Sequence, residues 1–563
     1  MKDGSVASRW SLTLRRGPFA PAAVAVAVLL VAVPAALGRD TAGTSAPAGA
    51  RPAHSMASTG LGTSTLLALQ QAEIKPGDIA PYDIFGAPVA LSGSTMLVGA
   101  PQKSVDGVDE AGAVYVYVRS GLSWKLQQRL VADDKADDAK FGLAVAVSGD
   151  TALIGAPAMT AGGQEIAGTA YVYQRSRGVW TKAAELTEPT PGQSDYFGSA
   201  VALSSGTALI AAYGASVAAQ QAAGVVYVYT GSGASWTERQ QLSAPSPAAG
   251  AFFGHAVALS AGIALIGAPS YNAPGAAYVF TGSDASWTEQ AELQAETPAV
   301  DDAFGWSLAL TTDTAAVGGP AASRGSLTDA GCVDVFADDA GTWSRQAELQ
   351  ADDAASDDAF GTAVALSGSR LLVGAPCVST LGPLQPPVVP TPRAAVAATS
   401  GTSGSVYVFD DGTSGWTSRR ELVASDAAAS DLYGEALAFS GTTAVIGASN
   451  KAAGTAAYAG RVYVESFAAP VVTLKASATR VKKGALLTLS GVVRNGVFSV
   501  LTVRVSRHAG GHATALKTVT LSSAGAYRWR FRPGKVGTWV LVTSYRVGGL
   551  TFSSKAVTVR VHG

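Results

Sequence analysis

FGAPVALSGSTMLVGAP, residues 85–101, then GAVYVYVRSGLSW, residues 112–124, then a short polar run back to Phe141-Gly142: on this stretch the reading of the fold turns. Related units recur through the middle of the chain. Aromatic-Gly pairs open at Phe85, Phe141, Phe197, Phe253, Phe304, Phe360 and Tyr433, and a second glycine motif begins 14 residues after each. That motif is Gly-Ala-Pro at Gly99, Gly155, Gly267 and Gly374, with looser versions at Ala211, Gly318 and Gly447. A third apolar run and a tryptophan follow in six of the seven units at constant spacing, as from Tyr115 to Trp124 and from Tyr407 to Trp416. The next aromatic-Gly pair comes 17 residues after that tryptophan. Only the segment between Gly-Ala-Pro and the third run changes length.

Each unit holds four strand-like runs separated by turn residues such as Ser367-Gly368 and Asp411-Gly412. The first three runs carry apolar residues at adjacent positions, so both faces of each small sheet must be covered. A ring of stacked four-stranded blades does this. Unit seven lacks a tryptophan strand, and the run LQQAEI, residues 69–74, matches the missing piece, with Ala72-Glu73-Ile74 falling where Ala347-Glu348-Leu349 falls in unit five. The expected fold is all-β: a seven-bladed β-propeller of four-stranded blades over residues 64–467, its last blade closed by an N-terminal strand, followed by a β-sandwich over 468–563. Closure removes the pairing hazard of an open sheet edge.

Here the chain resembles the FG-GAP repeat β-propellers, which include the head of integrin α subunits and many bacterial surface proteins. Many of them carry an Asp- and Asn-rich calcium loop between the Phe-Gly strand and the Gly-Ala-Pro strand. In this chain that link is a tight turn, Ser92-Gly93, Ser148-Gly149, Ser367-Gly368 or Ser440-Gly441, and no D-x-D-x-D-G run exists. No cofactor is therefore expected, and calcium stays open only without the family's loops. What the resemblance implies is a binding or adhesion protein of a secreted or surface subtype.

The N-terminus carries Lys2, Arg9, Arg15 and Arg16, then an apolar run ending at the small-x-small site Ala36-Leu37-Gly38, which predicts a secretory signal peptide over 1–38. An uncleaved membrane anchor is the competing reading. Residues 39–63 are Ala, Ser, Thr, Gly and Pro, the composition of a flexible linker. Export to the envelope or beyond permits a disulfide between Cys332 and Cys377, against two small buried thiols.

Function is expected on the face that receives the connections from strand two to strand three and from strand four to the next blade, because variable loops on a rigid frame are where binding lives. That face includes the insert at 378–400. It also collects the aspartates before the aromatic-Gly pairs: Asp137, Asp138, Asp195, Asp301, Asp302, Asp357, Asp358 and Asp431. These are candidate ligand-binding residues, with turn capping as the alternative. The fixed tryptophans read as packing residues. His255 lacks the oriented partner that general-base work needs, and no G-x-S-x-G, H-E-x-x-H, phosphate loop or paired-cysteine metal motif exists. Catalytic and metal residues are accordingly expected to be none. An exported hydrolase with a central-channel site and a structural surface-layer component are the alternatives.

From Ala468 the pattern changes to alternating strands resembling bacterial immunoglobulin-like modules. Residues 470–563 hold 15 Lys and Arg and no Asp or Glu, so of the chain's 40 basic and 41 acidic residues the remainder carries 25 and 41. Arg528, Arg530 and Arg532 alternate along one strand and should line one face. A polyanion such as an anionic cell-wall polymer suits that face. The expected partners are thus an extracellular protein or glycan on the propeller and a wall polymer on the basic domain. Nucleic acid is not expected.

Overall fold

A computed structural model describes residues 69–121, 123–270, 273–377, 403–468, 471–494, 502–509, 512–522, 526–547 and 550–563. The signal peptide expected over 1–38, the linker expected over 39–63 and the insert at 378–400 lie outside these. No helix among the described residues is long and apolar enough to cross a membrane.

Seven four-stranded antiparallel sheets follow one another. Blade 1 is built from Val89–Ser92, Thr95–Ala100, Ala113–Ser120 and Ser123–Leu130, paired in sequence order. Blades 2 to 6 repeat this plan. Blade 7 has Leu437–Ser440, Thr443–Ala448 and Arg461–Ser466, and its outer strand is Leu69–Ile74, in register with Arg461–Ser466 from Leu69↔Ser466 to Ile74↔Val462. The N-terminal strand therefore closes the last blade. Blades 7 and 1 also share one hydrophobic cluster that joins Phe85, Val98 and Tyr115 to Val445, Val462 and Val464.

The two glycine motifs are each other's partners across blades. In the second strand of blade 2, a side chain at Gly155 would run into the backbone of Gly198, the glycine of the next blade's Phe-Gly. The same approach joins Gly99 to Gly142, Gly267 to Gly305, Gly318 to Gly361, Gly374 to Gly434 and, across the seam, Gly447 to Gly86. Only a residue without a Cβ lets two backbones come this close. Unit three departs from the pattern with Ala211, whose methyl lies against Gly254. The phenyl rings turn into their own blades, as when Phe141 meets Tyr171 edge-on at 5.4 Å.

Tryptophans at the start of the fourth strands tie neighbouring blades. Trp180 is buried in the cluster shared by blades 1 and 2, and its indole N–H donates to Gln127 Oε1 at 3.0 Å. The Gln128 side chain meanwhile brackets the Trp180 backbone, accepting from its N–H at 2.9 Å and donating to its carbonyl at 2.8 Å. Gln240 does the same for Trp287.

The C-terminal region forms two sheets around one core. One joins Val471–Val472, Lys475–Ala476, Leu487–Arg494 and Ala526–Phe531; the other holds Arg480–Lys482, Thr502–Ala509, His512–Thr520, Gly537–Val547, Leu550–Ser553 and Val557–His562. Leu487, Leu489, Tyr527, Leu541, Tyr545 and Val559 are buried between them.

Candidate functional site

The connection from strand two to strand three has 12 residues in blades 1, 2, 3, 5 and 7, 7 residues in blade 4 and 29 in blade 6. Length variation is thus confined to two blades. The five equal loops each fold back on themselves through one short bridge, such as Val105 with Val108 or Arg324 with Leu327. Each then runs beside the linker to the next blade, as when the Phe141 N–H donates to the Ala111 carbonyl at 3.0 Å.

The linkers have a fixed backbone shape. Three residues before each aromatic-Gly pair's first member, and again one before it, φ is positive: Tyr82 and Ile84, Asp138 and Lys140, Ser194 and Tyr196, Gly250 and Phe252, Asp301 and Ala303, Asp357 and Ala359, Ser430 and Leu432. Left-handed conformations in residues other than glycine are costly and persist only where surroundings impose them. The residue between them is turned inward. In five linkers it is an aspartate whose Oδ2 accepts the N–H three residues earlier: Asp83 from Ala80, Asp195 from Gly192, Asp302 from Ala299, Asp358 from Ala355 and Asp431 from Ala428, all at 2.6–3.0 Å.

This divides the eight aspartates expected on the ligand face. Asp195, Asp302, Asp358 and Asp431 serve the linker, the last three buried outright. Asp431 also holds Lys451 at 2.7 Å. Asp137 and Asp138 are exposed, Asp137 accepting the Asp109 N–H at 3.0 Å and Asp138 paired with Lys140 at 3.2 Å. Asp301 is exposed and Asp357 half-buried, both in the left-handed position that precedes a capping aspartate.

A second carboxylate in the linkers was not singled out from the sequence. Third-strand tyrosines donate to it: Tyr115 to Asp78, Tyr171 to Asp134, Tyr227 to Glu188, Tyr407 to Asp353 and Tyr463 to Asp426, at 2.6–2.9 Å. In blade 5 the tyrosine is replaced by the buried Asp334, and Arg345 bridges it to Glu296. Burial pushes the Asp334 carboxyl up to about 6 although Arg345 opposes it. Burial would also raise Asp78, but Tyr115, Lys103 and Arg129 outweigh it and hold that carboxyl below its ordinary value.

Toward the axis the innermost strands read VALS, AVAVS, VALS, AVALS, SLAL, AVALS and LAFS, with no titratable side chain. Where these strands begin in blades 4 and 5, His255 and Trp306 stand with ring centroids 4.3 Å apart, and His255 Nδ1 lies 3.2 Å from the Trp306 carbonyl. Tyr213 joins them at 6.2 Å from His255, stacked on Tyr196 and edge-on to Phe252. His255 and Trp306 are both partly exposed, whereas Tyr213, Tyr196 and Phe252 behind them are buried.

Cys332 and Cys377 are buried and are not joined by a disulfide. Each has its own polar neighbour, Cys332 the Arg324 guanidinium at 3.0 Å and Cys377 the Asp358 carboxylate at 3.6 Å. Among the described residues no group of three or more His, Cys, Asp or Glu gathers to hold a metal.

In the C-terminal domain Arg528, Arg530 and Arg532 are all exposed. Lys475 and Arg528 flank Ser490 on adjacent strands, which places them on the same face. Beside them lies an open cavity of about 660 Å³, lined by Lys475, Ser490, Val492, Ala526, Tyr527 and Arg528 among others.

Comparison with known proteins comes to the same repeat. The FG-GAP repeat model matches residues 69–117, 124–173, 180–229, 236–280, 287–336, 343–384 and 416–464. No curated protein matches the chain. Among solved structures, a candidate 6-phosphogluconolactonase of Bacteroides uniformis aligns at 10% identity and a TM-score of 0.37, covering 60% of this chain and 85% of that one. A puromycin-hydrolyzing peptidase of Mycobacterium tuberculosis aligns at 10% and 0.36, covering 86% and 61%. A europium-containing methanol dehydrogenase aligns at 7% and 0.35, covering 71% and 93%.

Proposed function

The chain belongs to the FG-GAP repeat family, and we propose that it is a secreted or cell-envelope binding and adhesion protein without catalysis. Its ligand is an extracellular protein or glycan, taken on the loop face of the propeller. The observation that carries this reading is the division of that face into a self-satisfied frame and a small remainder. Five loops and most linkers spend their polar groups on each other. Loop length differs only in blades 4 and 6, and where the innermost strands of blades 4 and 5 begin, His255 and Trp306, backed by the buried Tyr213, are partly open. Aromatic faces with polar edges recognise sugars and protein loops through stacking and hydrogen bonding together.

The absence of titratable groups from the seven innermost strands weighs against hydrolysis in the channel, because such chemistry needs an acid or base within hydrogen-bond reach of the reacting atom. The basic domain acts as spacer or wall anchor, and its strip of Lys475, Arg528 and Arg530 supplies the electrostatic contact.

A glycan and extracellular-protein array probed with the full chain tests the first part. Binding should fall at least about tenfold in a His255→Ala/Trp306→Ala variant that keeps its thermal unfolding profile. Hits untouched by that variant would move the site away from the aromatic group. For the anchor, retention on purified cell walls should decline steeply with salt and be lost in an Arg528→Ala/Arg530→Ala/Arg532→Ala variant. Salt-insensitive retention would defeat the electrostatic reading.

A further inference from the structure

The C-terminal domain has cations and no side-chain carboxylate of its own to pair them with. Residues 470–563 hold 15 Lys and Arg and no Asp or Glu. In the propeller, by contrast, Lys103, Lys451 and Arg345 each meet an aspartate. Cations that stand near one another without an anion repel, by an amount that water and salt reduce but do not cancel. Two of them kept in one cross-strand row call for an anion from outside.

That row is Lys475, Ser490 and Arg528. Lys475 lies opposite Ser490, and Ser490 opposite Arg528, on three adjacent strands. At a strand spacing of about 4.8 Å the two cations start about 9–10 Å apart, with the Ser490 hydroxyl between them. Residues two positions along a strand share its face. On one side of the row these are Val492 and Ala526, paired with each other, and on the other Thr488 and Arg530. Arg530 thus repeats the charge of Arg528 after about 6.7 Å, the advance of two residues along a strand. Lys475, Arg528 and Arg530 are exposed, while Ser490, Val492 and Ala526 are half-buried. The row is backed by Tyr527, which passes beneath Gly491 and whose hydroxyl is held by the Thr473 carbonyl and the Thr543 hydroxyl. The cavity described above takes in Lys475, Ser490, Arg528, Val492 and Ala526, together with the hydroxyls of Thr520 and Ser522, and no carboxylate lines it.

We propose, building on the reading of this domain as a wall anchor, that Lys475, Ser490 and Arg528 seat one phosphodiester of a linear polyol-phosphate polymer. Lys475 and Arg528 meet its non-bridging oxygens from opposite sides, and the Ser490 hydroxyl donates between them. The carbon segment on one side lies on Val492 and Ala526, and on the other side Arg530 takes the next phosphate. A tetrahedral phosphate presents oxygens to cations on two sides, whereas the two oxygens of a carboxylate face one way and are satisfied by a single guanidinium fork. Nucleic acid carries phosphodiesters too, but binding a single strand also uses aromatic platforms for its bases. Trp529 and Phe531, which alternate with the arginines, instead stack on each other at 4.3 Å and pack against the core.

The test measures the affinity of the full chain for poly(glycerol phosphate), polygalacturonate and single-stranded DNA at equal charge concentration over a salt series. Poly(glycerol phosphate) should bind about tenfold or more tightly than either of the others, the worth of one well-made hydrogen bond to a charged group. Lys475→Gln and Arg528→Gln should each weaken its binding about tenfold and lower the salt slope by about 0.7, one phosphate contact on a flexible strand. Lys555→Gln removes an exposed charge between two strands of the other sheet and should change binding less than about twofold. All three side chains are exposed, and an unchanged thermal unfolding profile shows that each variant is folded. Equal binding of polygalacturonate, tighter binding of DNA, or a Lys475→Gln effect no larger than that of Lys555→Gln would overturn the phosphodiester seat. Each of these leaves salt-sensitive wall retention, and so the anchor reading, standing. Salt-insensitive retention on walls defeats the anchor reading instead, and the purified polymers decide the seat in either case.

Discussion

Replacing Gly155 by alanine should weaken the propeller at one blade interface, and the structure indicates by how much. A methyl group at this position would sit 2.9 Å from the carbonyl carbon of Gly198 and 3.3 Å from its Cα, with the carbonyl oxygen nearer still. Non-bonded carbons settle at about 3.5–4.0 Å, and the carbonyl oxygen is the nearer obstacle, so blades 2 and 3 would have to part locally by more than about 1 Å. The obstacle is main chain and cannot rotate away. It is also held from behind, because the Gly198 N–H donates to Ala211 at 2.8 Å. Overpacking of this kind costs about 1–3 kcal/mol, and a backbone obstacle points to the upper end, against at most about 0.8 kcal/mol gained by burying one methyl. A net loss of about 2–3 kcal/mol is expected. Gly77 is the control: a methyl there meets nothing within 4 Å, so Gly77→Ala should be neutral or stabilising by about 0.4–1 kcal/mol through the unfolded chain. Equilibrium urea unfolding followed by tryptophan fluorescence measures both. A Gly155→Ala midpoint equal to that of wild type or of Gly77→Ala would refute the idea that the paired glycine motifs exist for backbone contact between blades.

Lys451→Met should cost about 3–5 kcal/mol, because it leaves Asp431, whose side chain is 6% exposed, buried without its cation; an unfolding midpoint close to wild type would show that the pair is not a net contributor. Wild-type stability should fall as pH rises from about 4.3, the ordinary glutamate value, toward 8. In that window folded Glu188, pushed up to about 8, keeps a proton that the unfolded chain has released, so the unfolded state binds fewer protons and stability declines with pH. Glu465 is also pushed up to about 8 by burial and acts in the same direction. The measurement is therefore the difference between wild type and Glu188→Gln, expected to change on the order of 2–4 kcal/mol between pH 5 and pH 8. An unchanged difference would remove Glu188 from the account.

The blade architecture was legible because its causes are local and repeated. Aromatic-Gly and Gly-Ala-Pro recur since each is one half of a backbone contact, and a contact made by glycine in six of seven units becomes a spacing. The borrowed strand at Leu69–Ile74 could be inferred from the gap left in unit seven. The role of the aspartates was less legible. Sequence places Asp302, Asp358 and Asp431 in acidic loops, but only the left-handed residues on either side turn them inward, and nothing in side-chain type announces a left-handed Ile84 or Leu432. The partner of the third-strand tyrosine was hidden for a different reason. It lies seven residues before the aromatic-Gly pair in Asp78, Asp134, Asp353 and Asp426, but in blade 3 the longer Glu188 reaches the same hydroxyl from two residues further back. One usable signal went unread: a glycine stands three residues before every third-strand tyrosine or its replacement, from Gly112 to Gly460, against the backbone of the next unit's aromatic residue. Of the two readings left open for Cys332 and Cys377, the structure has the two buried thiols, since a place on neighbouring blades does not by itself bring two side chains within bonding distance.

The outer strand of blade 7 comes from the beginning of the propeller sequence and meets its partner late: Glu73 and Arg461, which pair across it, are 388 positions apart. Loop closure over such a span adds little to the equilibrium cost, which grows only with the logarithm of length, but it sets an order of events. Until synthesis has passed Ser466, the strand at 69–74 has nothing to pair with, and the chain presents open sheet edges of the kind that recruit other chains. A product cut short anywhere before that point is thus marked by its own unsatisfied edge for aggregation or proteolysis. Residues beyond 468 are made only once every strand of the ring exists, so a domain appended there is displayed on a propeller able to close.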